Sequence, residues 1–92
     1  MTVTINYKGQ IATEAGHHSE ELSLDGPVTL TALLQELSTK AADAVSDFIF
    51  DNDGSPRRSL LVVINDEQVI DFQNTLIDDD CVISLLPPIA GG

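Results

Sequence analysis

The segment CVISLLPPIAGG (residues 81–92) joins an apolar run to a proline pair and ends in two glycines. Residues 81–86 predict the last strand of a sheet. The prolines at 87–88 fix φ and remove two N–H donors, so a strand that reaches them stops pairing and the chain projects outward. Gly91 and Gly92 bring no side chain to bury and lose the most backbone freedom on ordering. The segment therefore predicts a slim tail that can thread a narrow channel and present a carboxylate to another protein.

The composition is that of one globular domain with an unusual charge. The chain has 92 residues, 42% of them hydrophobic and 21% charged, which suits a single domain that folds alone. The 15 acidic residues against 4 basic ones give a net charge of −11. This charge argues against nucleic acid, whose phosphates need a basic face, and against anionic membrane surfaces. Two explanations remain open: solubility in a salty cytoplasm, or steering toward a basic groove on a partner enzyme.

The sequence lacks the usual signs of export or membrane insertion. No apolar run approaches the roughly 18 residues that span a membrane. Residues 1–5 lack the basic region and long apolar stretch of a secretory signal. The single cysteine, Cys81, excludes an internal disulfide and is compatible with a reducing compartment. We therefore expect a soluble cytoplasmic protein.

The amino-terminal segment contains two candidate strands. Residues 2–8 alternate between apolar and polar side chains, which predicts a half-buried strand. Residues 10–18 are weakly patterned and suit a short helical turn. Residues 19–24 predict a second strand, antiparallel to the first. The apolar face of the first strand consists of Val3, Ile5 and Tyr7.

One amphipathic helix dominates the middle of the chain. Thr29 is a good N-cap, and apolar residues follow it at the i, i+3, i+4, i+7 spacing of one helix face. These residues are Leu30, Leu33, Leu34 and Leu37. We expect this helix to lie across the sheet and form most of the core. Residues 41–49 suggest a second, shorter helix.

The second half supplies the remaining strands. The apolar run 60–65 predicts a central strand, and residues 68–70 predict a short return strand. With the strand at 81–86, the order is strand, strand, helix, strand, short strand, strand. Strands grouped around one main helix indicate an α+β domain with the helix on one face of a mixed sheet.

The ending Leu-Leu-Pro-Pro-Ile-Ala-Gly-Gly (85–92) resembles that of the MoaD/ThiS sulfur-carrier family, the prokaryotic relatives of ubiquitin. The aliphatic strand that ends in Asn65, and the tight turn before Val69, also resemble the family. The resemblance implies a β-grasp fold, a mixed sheet of about four or five strands with one main helix across one face. It further implies that the first and last strands lie side by side, in a domain of residues 1–86 with a projecting tail of residues 87–92.

Two features depart from the family pattern. Asp78-Asp79-Asp80 replaces the Asp-Gly-Asp of the family, and we expect aspartate to adopt the left-handed conformation there at a small cost. One extra residue between this turn and Pro87 leaves open which side of the last strand faces the helix. Counting back from the prolines favours Ile83 and Leu85 inward, and a β-bulge would reconcile both ends. The two alternative sets are Val82, Ser84 and Leu86, or Cys81, Ile83 and Leu85.

The resemblance implies a defined chemistry for the tail. In the family, a ubiquitin-activating-type adenylyltransferase uses ATP to adenylate the terminal glycine. Sulfur from the persulfide of a sulfurtransferase then displaces AMP and leaves a thiocarboxylate. Gly92 would be the reacting residue and Gly91 the slim residue beside it, with Ile89 and Ala90 at the channel entrance. The chain would bind no cofactor and would not itself be an enzyme, since ATP belongs to the activating partner.

Docking to such partners requires an apolar patch on the open face of the sheet. The candidates are Leu86 and Val82, with part of the strand at 60–64. The alternative is that these residues belong to the core. The partner-binding residues implied are Val82, Leu86, Pro87, Pro88, Ile89 and Ala90.

Other groups of residues give weaker evidence for a metal site or a nucleophile. His17-His18 has no third ligand in view, and the Asp51–Gly54 segment lacks a carboxylate at the first position of a calcium loop. Cys81 follows Asp80, whose charge raises rather than lowers the pKa of a thiol. We therefore expect no metal site and no reactive nucleophile.

The sequence thus predicts a sulfur carrier in the biosynthesis of a sulfur-containing cofactor. The Pro-Pro form of the tail favours the small subunit of molybdopterin synthase, whose tail inserts into a large catalytic subunit. Carriers for thiamine, cysteine or tRNA thiolation remain open. A ubiquitin-like modifier conjugated through Gly92 to lysine and an interaction module with an inert tail also remain open, because fold alone does not choose among them.

Overall fold

The computed structural model describes residues 1–40 and 43–87, and the predictions for residues 41–42 and 88–92 lie outside these ranges. No helix within the described ranges is long and apolar enough to cross a membrane. The elements in chain order are β1 (Thr2–Tyr7), α1 (Gly9–Ala15), β2 (Ser19–Ser23), β3 (Val28–Thr29), α2 (Leu30–Lys40), α3 (Asp43–Ile49), β4 (Leu61–Ile64), β5 (Glu67–Val69), β6 (Leu76–Ile77) and β7 (Cys81–Leu86).

Five strands form one mixed sheet in the order β2-β1-β7-β4-β5. β1 and β7 pair in parallel at its centre, and the other neighbours pair antiparallel. The predicted α+β, β-grasp fold is confirmed, with the first and last strands side by side. A second, two-stranded sheet of β3 and β6 has no counterpart in the sequence prediction, because such short strands show no alternating pattern.

The leucine stripe of α2 forms one core cluster with the inward side chains of the sheet. Its four members, Leu30, Leu33, Leu34 and Leu37, are fully buried. Full burial of such a side chain contributes about 1.5–3 kcal/mol, so this one helix face supplies a large part of the driving force. Thr29 caps the helix as predicted, since its Oγ1 accepts a hydrogen bond from the Ala32 N–H at 3.2 Å. The shorter helices α1 and α3 add Ile11, Val45 and Ile49 to the same core.

The register of β7 decides which side chains the open face presents. Ile5 lies opposite Ile83 and Tyr7 opposite Leu85, and all four are buried. The inward orientation of Ile83 and Leu85 is therefore confirmed. Pairing with β1 is continuous from Cys81 to Leu85, so β7 accommodates the extra residue without a bulge.

The turn before β7 differs from the prediction. Within residues 1–40 and 43–87, positive φ among non-glycine residues occurs at Asn65 (49°) and Asp66 (73°), so the expected left-handed aspartate at 78–80 is wrong. Carboxylates hold this turn instead: Asp80 Oδ1 accepts from the Thr2 N–H at 2.7 Å, and Asp79 Oδ1 accepts from the Asp80 N–H at 2.7 Å. Positive φ at both central residues is the type I′ geometry that joins β4 to β5.

We expect Ile83→Ala to lower the free energy of unfolding by about 2–5 kcal/mol, because it leaves a cavity in the core. The neighbouring Val82→Ala should lower it by about 1 kcal/mol or less, because Val82 is on the open face. Urea denaturation of both variants measures the difference. Equal losses at the two positions would contradict the register of β7.

Candidate functional site

The site predicted from the sequence begins where β7 ends. Leu86 is the last residue of the strand, and Pro87 follows it outside the ladder. The Lys8 N–H donates a hydrogen bond to the Leu85 carbonyl at 3.0 Å, which ties the end of β7 to the start of α1. Pro87 is half-buried there, beside Gly9. The remaining predicted site residues, Pro88, Ile89, Ala90, Gly91 and Gly92, lie outside the described residues.

An apolar patch lies on the open face of the sheet, next to this exit. Its members, which we call the open-face patch, are Leu61, Val63, Val82 and Leu86. Leu61 pairs with Leu86 across the β4–β7 ladder. Two residues further along the ladder, in the direction of Val82, Val63 pairs with Ser84. Leu61 is 38% exposed and Val82 is 42% exposed, so neither belongs to the core. Of the predicted strand at 60–64, only alternate residues contribute, because Leu60 and Val62 are buried.

Charge is distributed unevenly along the open-face patch. At the Val82 end, the Val82 N–H donates a hydrogen bond to Asn65 Oδ1 at 3.0 Å. The acidic residues 78–80 line a cleft there together with Asn65 and Glu67. At the Leu61 end, a groove of about 460 Å³ is lined by the exposed Ile70 and by the charged residues Arg57, Arg58 and Asp71. The patch therefore has acidic residues beside its Val82 end, whereas two arginines and one aspartate lie beside the end nearest the tail.

A small polar cluster lies at the end of β1, the strand that pairs with β7 on the side away from β4. The Tyr7 hydroxyl donates a hydrogen bond to Glu20 Oε1. His17 packs edge-on against the Tyr7 ring with 5.4 Å between centroids, and its Nε2 lies 3.9 Å from Glu20 Oε1. Burial, followed by the hydrogen bond and charge of Glu20, raises the pKa of Tyr7 above its ordinary range. A phenol held neutral in this way is a structural donor and not an activated nucleophile.

Cys81 is also unsuited to nucleophilic chemistry. Burial raises the pKa of its thiol, and the charges of Asp80 and Asp79 raise it further. The predicted effect of Asp80 is therefore confirmed. In the described part of the chain, no group of three or more His, Cys, Asp or Glu side chains is arranged to hold a metal ion. The chemistry that the described residues support is docking and presentation of the chain that follows Pro87.

Two features of the site have no counterpart in the sequence prediction. Gly9 contacts Pro87, and Tyr7, His17 and Glu20 form one cluster. The sequence marks Gly9 only as the end of a strand. A contact between segments so far apart in the chain gives no local signal.

The strand order and the helix across one face define a ubiquitin-like β-grasp domain. The sequence model of the ThiS family matches residues 5–92, and the chain belongs to that family. Its members are small carrier proteins rather than enzymes, and they work with E1-like activating enzymes and sulfur-transfer partners. No curated protein matches the sequence significantly.

Solved structures agree with this fold. SAMP1 from Haloferax volcanii superimposes with a TM-score of 0.87 at 22% identity, and the alignment covers 100% of both chains. CysO from Mycobacterium tuberculosis gives 0.73 at 25% identity, over 95% of this chain and 99% of that one. A Pyrococcus furiosus protein assigned as molybdopterin converting factor subunit 1 gives 0.72 at 18% identity, over 97% and 99%. The predicted MoaD/ThiS membership is thus confirmed.

Because Tyr7 is the single tyrosine, ultraviolet titration of the protein reports its hydroxyl alone. We expect no ionisation near pH 10, the pKa of about 10 for free tyrosine, while the chain is folded. The raised pKa contributes stability that is complete below about pH 10 and is lost as the pH rises toward the folded-state value. Tyr7→Phe should remove this part of the pH dependence of the unfolding free energy. Ordinary titration in the folded protein would contradict the burial of Tyr7 and its hydrogen bond to Glu20.

Proposed function

We propose that this chain is a sulfur carrier whose Gly92 carboxylate is adenylated and converted to a thiocarboxylate, and that it acts as the small subunit of molybdopterin synthase. The supporting observation is the exit of β7. The central strand ends at Leu86 beside an exposed apolar patch, and the sequence continues as Pro-Pro-Ile-Ala-Gly-Gly. In this proposal, residues 1–86 form the docking domain and residues 87–92 the reactive tail.

The chemistry explains why the carboxylate needs a partner. A carboxylate is a poor acyl donor because its leaving group would be oxide. Adenylation by ATP releases pyrophosphate and installs AMP as the leaving group. A persulfide sulfur then attacks the acyl carbon and expels AMP, and a thiol cleaves the resulting acyl disulfide to leave the thiocarboxylate. The chain contributes the carboxylate and the docking surface, while ATP and catalysis come from the activating enzyme.

The tail sequence suits insertion into a channel. Gly91 has no Cβ next to the reacting residue, and Ala90 is also small. Ile89 would fill an apolar entrance, and the two prolines limit the conformational freedom lost on insertion. Gly92 is the proposed site of adenylate and thiocarboxylate formation.

The open-face patch is the proposed docking surface for the partner enzymes. Its exposed aliphatic side chains are continuous with the root of the tail, since Leu61 pairs with Leu86. The net charge of −11 would complement a basic rim on the partner and raise the association rate. The proposed partners are a ubiquitin-activating-type adenylyltransferase, a sulfurtransferase and the large subunit of molybdopterin synthase. Dependence on ATP makes the cytoplasm the proposed compartment.

The mass of the protein isolated from its native cell tests this function. We expect a gain equal to the replacement of one oxygen by sulfur, and we expect the activating enzyme to charge the purified chain. A residue added after Gly92 should abolish charging because it displaces the reacting carboxylate. Gly91→Ala should slow charging because it widens the tail.

Charging of the extended protein at an unchanged rate would contradict the assignment of Gly92. A Gly-Gly remnant on target lysines would identify a protein modifier instead. Transfer of sulfur to the thiazole, cysteine or tRNA pathway, in place of the pterin precursor, would keep the carrier and reject the molybdopterin assignment.

A charge placed on the open-face patch should impair docking. We expect Val82→Glu to lower kcat/KM for adenylation by about tenfold or more, because a buried apolar contact would be replaced by an unpaired charge. Gln35→Glu adds the same charge at an exposed position of α2, on the helix side of the sheet, and should change kcat/KM by about twofold or less. Steady-state kinetics with the activating enzyme measures both values. Similar losses in the two variants would reject the patch as the docking surface.

A further inference from the structure

Gly9 and Pro87 meet at the point where the chain leaves the sheet. A Cβ built on Gly9 would lie 3.1 Å from Pro87 Cγ and 3.5 Å from Pro87 Cδ. Carbon atoms in contact normally lie about 3.5–4.0 Å apart, so a side chain on Gly9 would require the proline ring to shift by a few tenths of an ångström. The absence of a side chain at Gly9 therefore leaves the space that Pro87 occupies.

Close approach to Pro87 is a second reason for glycine at position 9, beside its backbone conformation. Gly9, Gly16 and Gly54 all have positive φ, at 57°, 80° and 85°. A Cβ on Gly16 or Gly54 would meet nothing within 4 Å. Gly9 thus satisfies two requirements, a left-handed backbone and close approach to Pro87, whereas the other two satisfy only the first.

Displacement of Pro87 would redirect the chain that follows it. The proline ring fixes φ, and Pro87 precedes another proline, which restricts its ψ to extended values. The residues before it are anchored, because Leu85 is buried and its carbonyl accepts from the Lys8 N–H at 3.0 Å. With so little freedom on either side, a shift of the ring changes the direction in which the chain leaves the domain.

We propose that Gly9 is a positioning residue for the tail: it seats Pro87 at the junction of β1 and α1 and so aims the Gly92 carboxylate at the active site of the activating enzyme. This inference rests on the proposed activation of Gly92. It assigns to the β1–α1 junction a role separate from the open-face patch, which holds the domain on its partner. In this proposal, the open-face patch binds the partner, whereas Gly9 orients the tail.

The test compares Gly9→Asn with Gly16→Asn. Asparagine tolerates the left-handed conformation, so both variants are expected to fold, and only the first places a Cβ against Pro87. We expect Gly9→Asn to lower kcat for adenylation by about tenfold through misalignment of the reacting group, while KM for the carrier changes by about twofold or less. Gly16→Asn should change neither constant.

A second substitution removes the obstacle. Pro87→Ala lacks the Cγ and Cδ atoms that the new Cβ would meet, so Gly9→Asn in that background should cause no further loss of kcat. Thermal unfolding of each variant shows whether a lower kcat reflects loss of the folded structure or misalignment of the tail. Contacts between the Gly9 Hα atoms and the Pro87 ring, measured by nuclear Overhauser effects, report the seating without any activity and should persist in Gly16→Asn.

Equal kcat values for the two asparagine variants would overturn the inference, as would an equal loss from Gly9→Asn with and without Pro87→Ala. Absence of the Gly9–Pro87 contacts in the unaltered protein would also overturn it. Failure of the unaltered protein to be adenylated would instead reject the proposed function, and the nuclear Overhauser contacts would then still test the seating of Pro87.

Discussion

The parallel pairing of β1 with β7 is the constraint on which the rest of the structure depends. Every other strand of the main sheet attaches to this pair, β2 to β1, and β4 followed by β5 to β7. The pairing also places Tyr7 beside Leu85, so the end of β1 and the end of β7 coincide. A central strand bonded on both sides gives the segment that leaves it a fixed origin, which an edge strand would not.

Successive side chains of β7 point to opposite faces of the sheet, so this one strand contributes both to the core and to the open-face patch. Ile83 and Leu85 face α2 and stabilise the core, whereas Val82 and Leu86 face outward and form part of the open-face patch. A shift of one residue would exchange the two sets, exposing the core and burying the patch. Stability and recognition therefore depend on the same register, and the carboxylates of the 78–80 turn help to fix it through the Thr2 amide.

Much of the fold could be predicted because its main elements have strong local patterns. The leucine stripe of α2 repeats at helical spacing, and β1 alternates over its whole length. The two-stranded sheet of β3 and β6 could not be predicted, because strands of two residues are recognised only through their pairing with each other. The left-handed conformation expected at 78–80 does not occur there, because the Asp79 and Asp80 carboxylates accept backbone hydrogen bonds that hold this turn in ordinary backbone. Positive φ occurs instead in the β4–β5 turn, at Asn65 and Asp66.

The candidate site likewise contains some features that could be predicted from the sequence and others that could not. The tail motif and the outward orientation of Val82 and Leu86 could be inferred from the sequence, since both follow from residue order near Pro87. The Gly9–Pro87 contact and the Tyr7–Glu20 hydrogen bond depend on pairing between distant segments, which no local pattern encodes.

The position of β7 in the sheet has a consequence for how the protein is made. The ribosome synthesises β7 after every other described strand, yet its place lies between β1 and β4. Two separate hairpins, β1–β2 and β4–β5, can form early from local contacts, but they share no backbone hydrogen bonds until β7 is inserted between them. Chains that lack β7 therefore leave the inner edges of β1 and β4 unpaired, and exposed edges of this kind favour aggregation during synthesis.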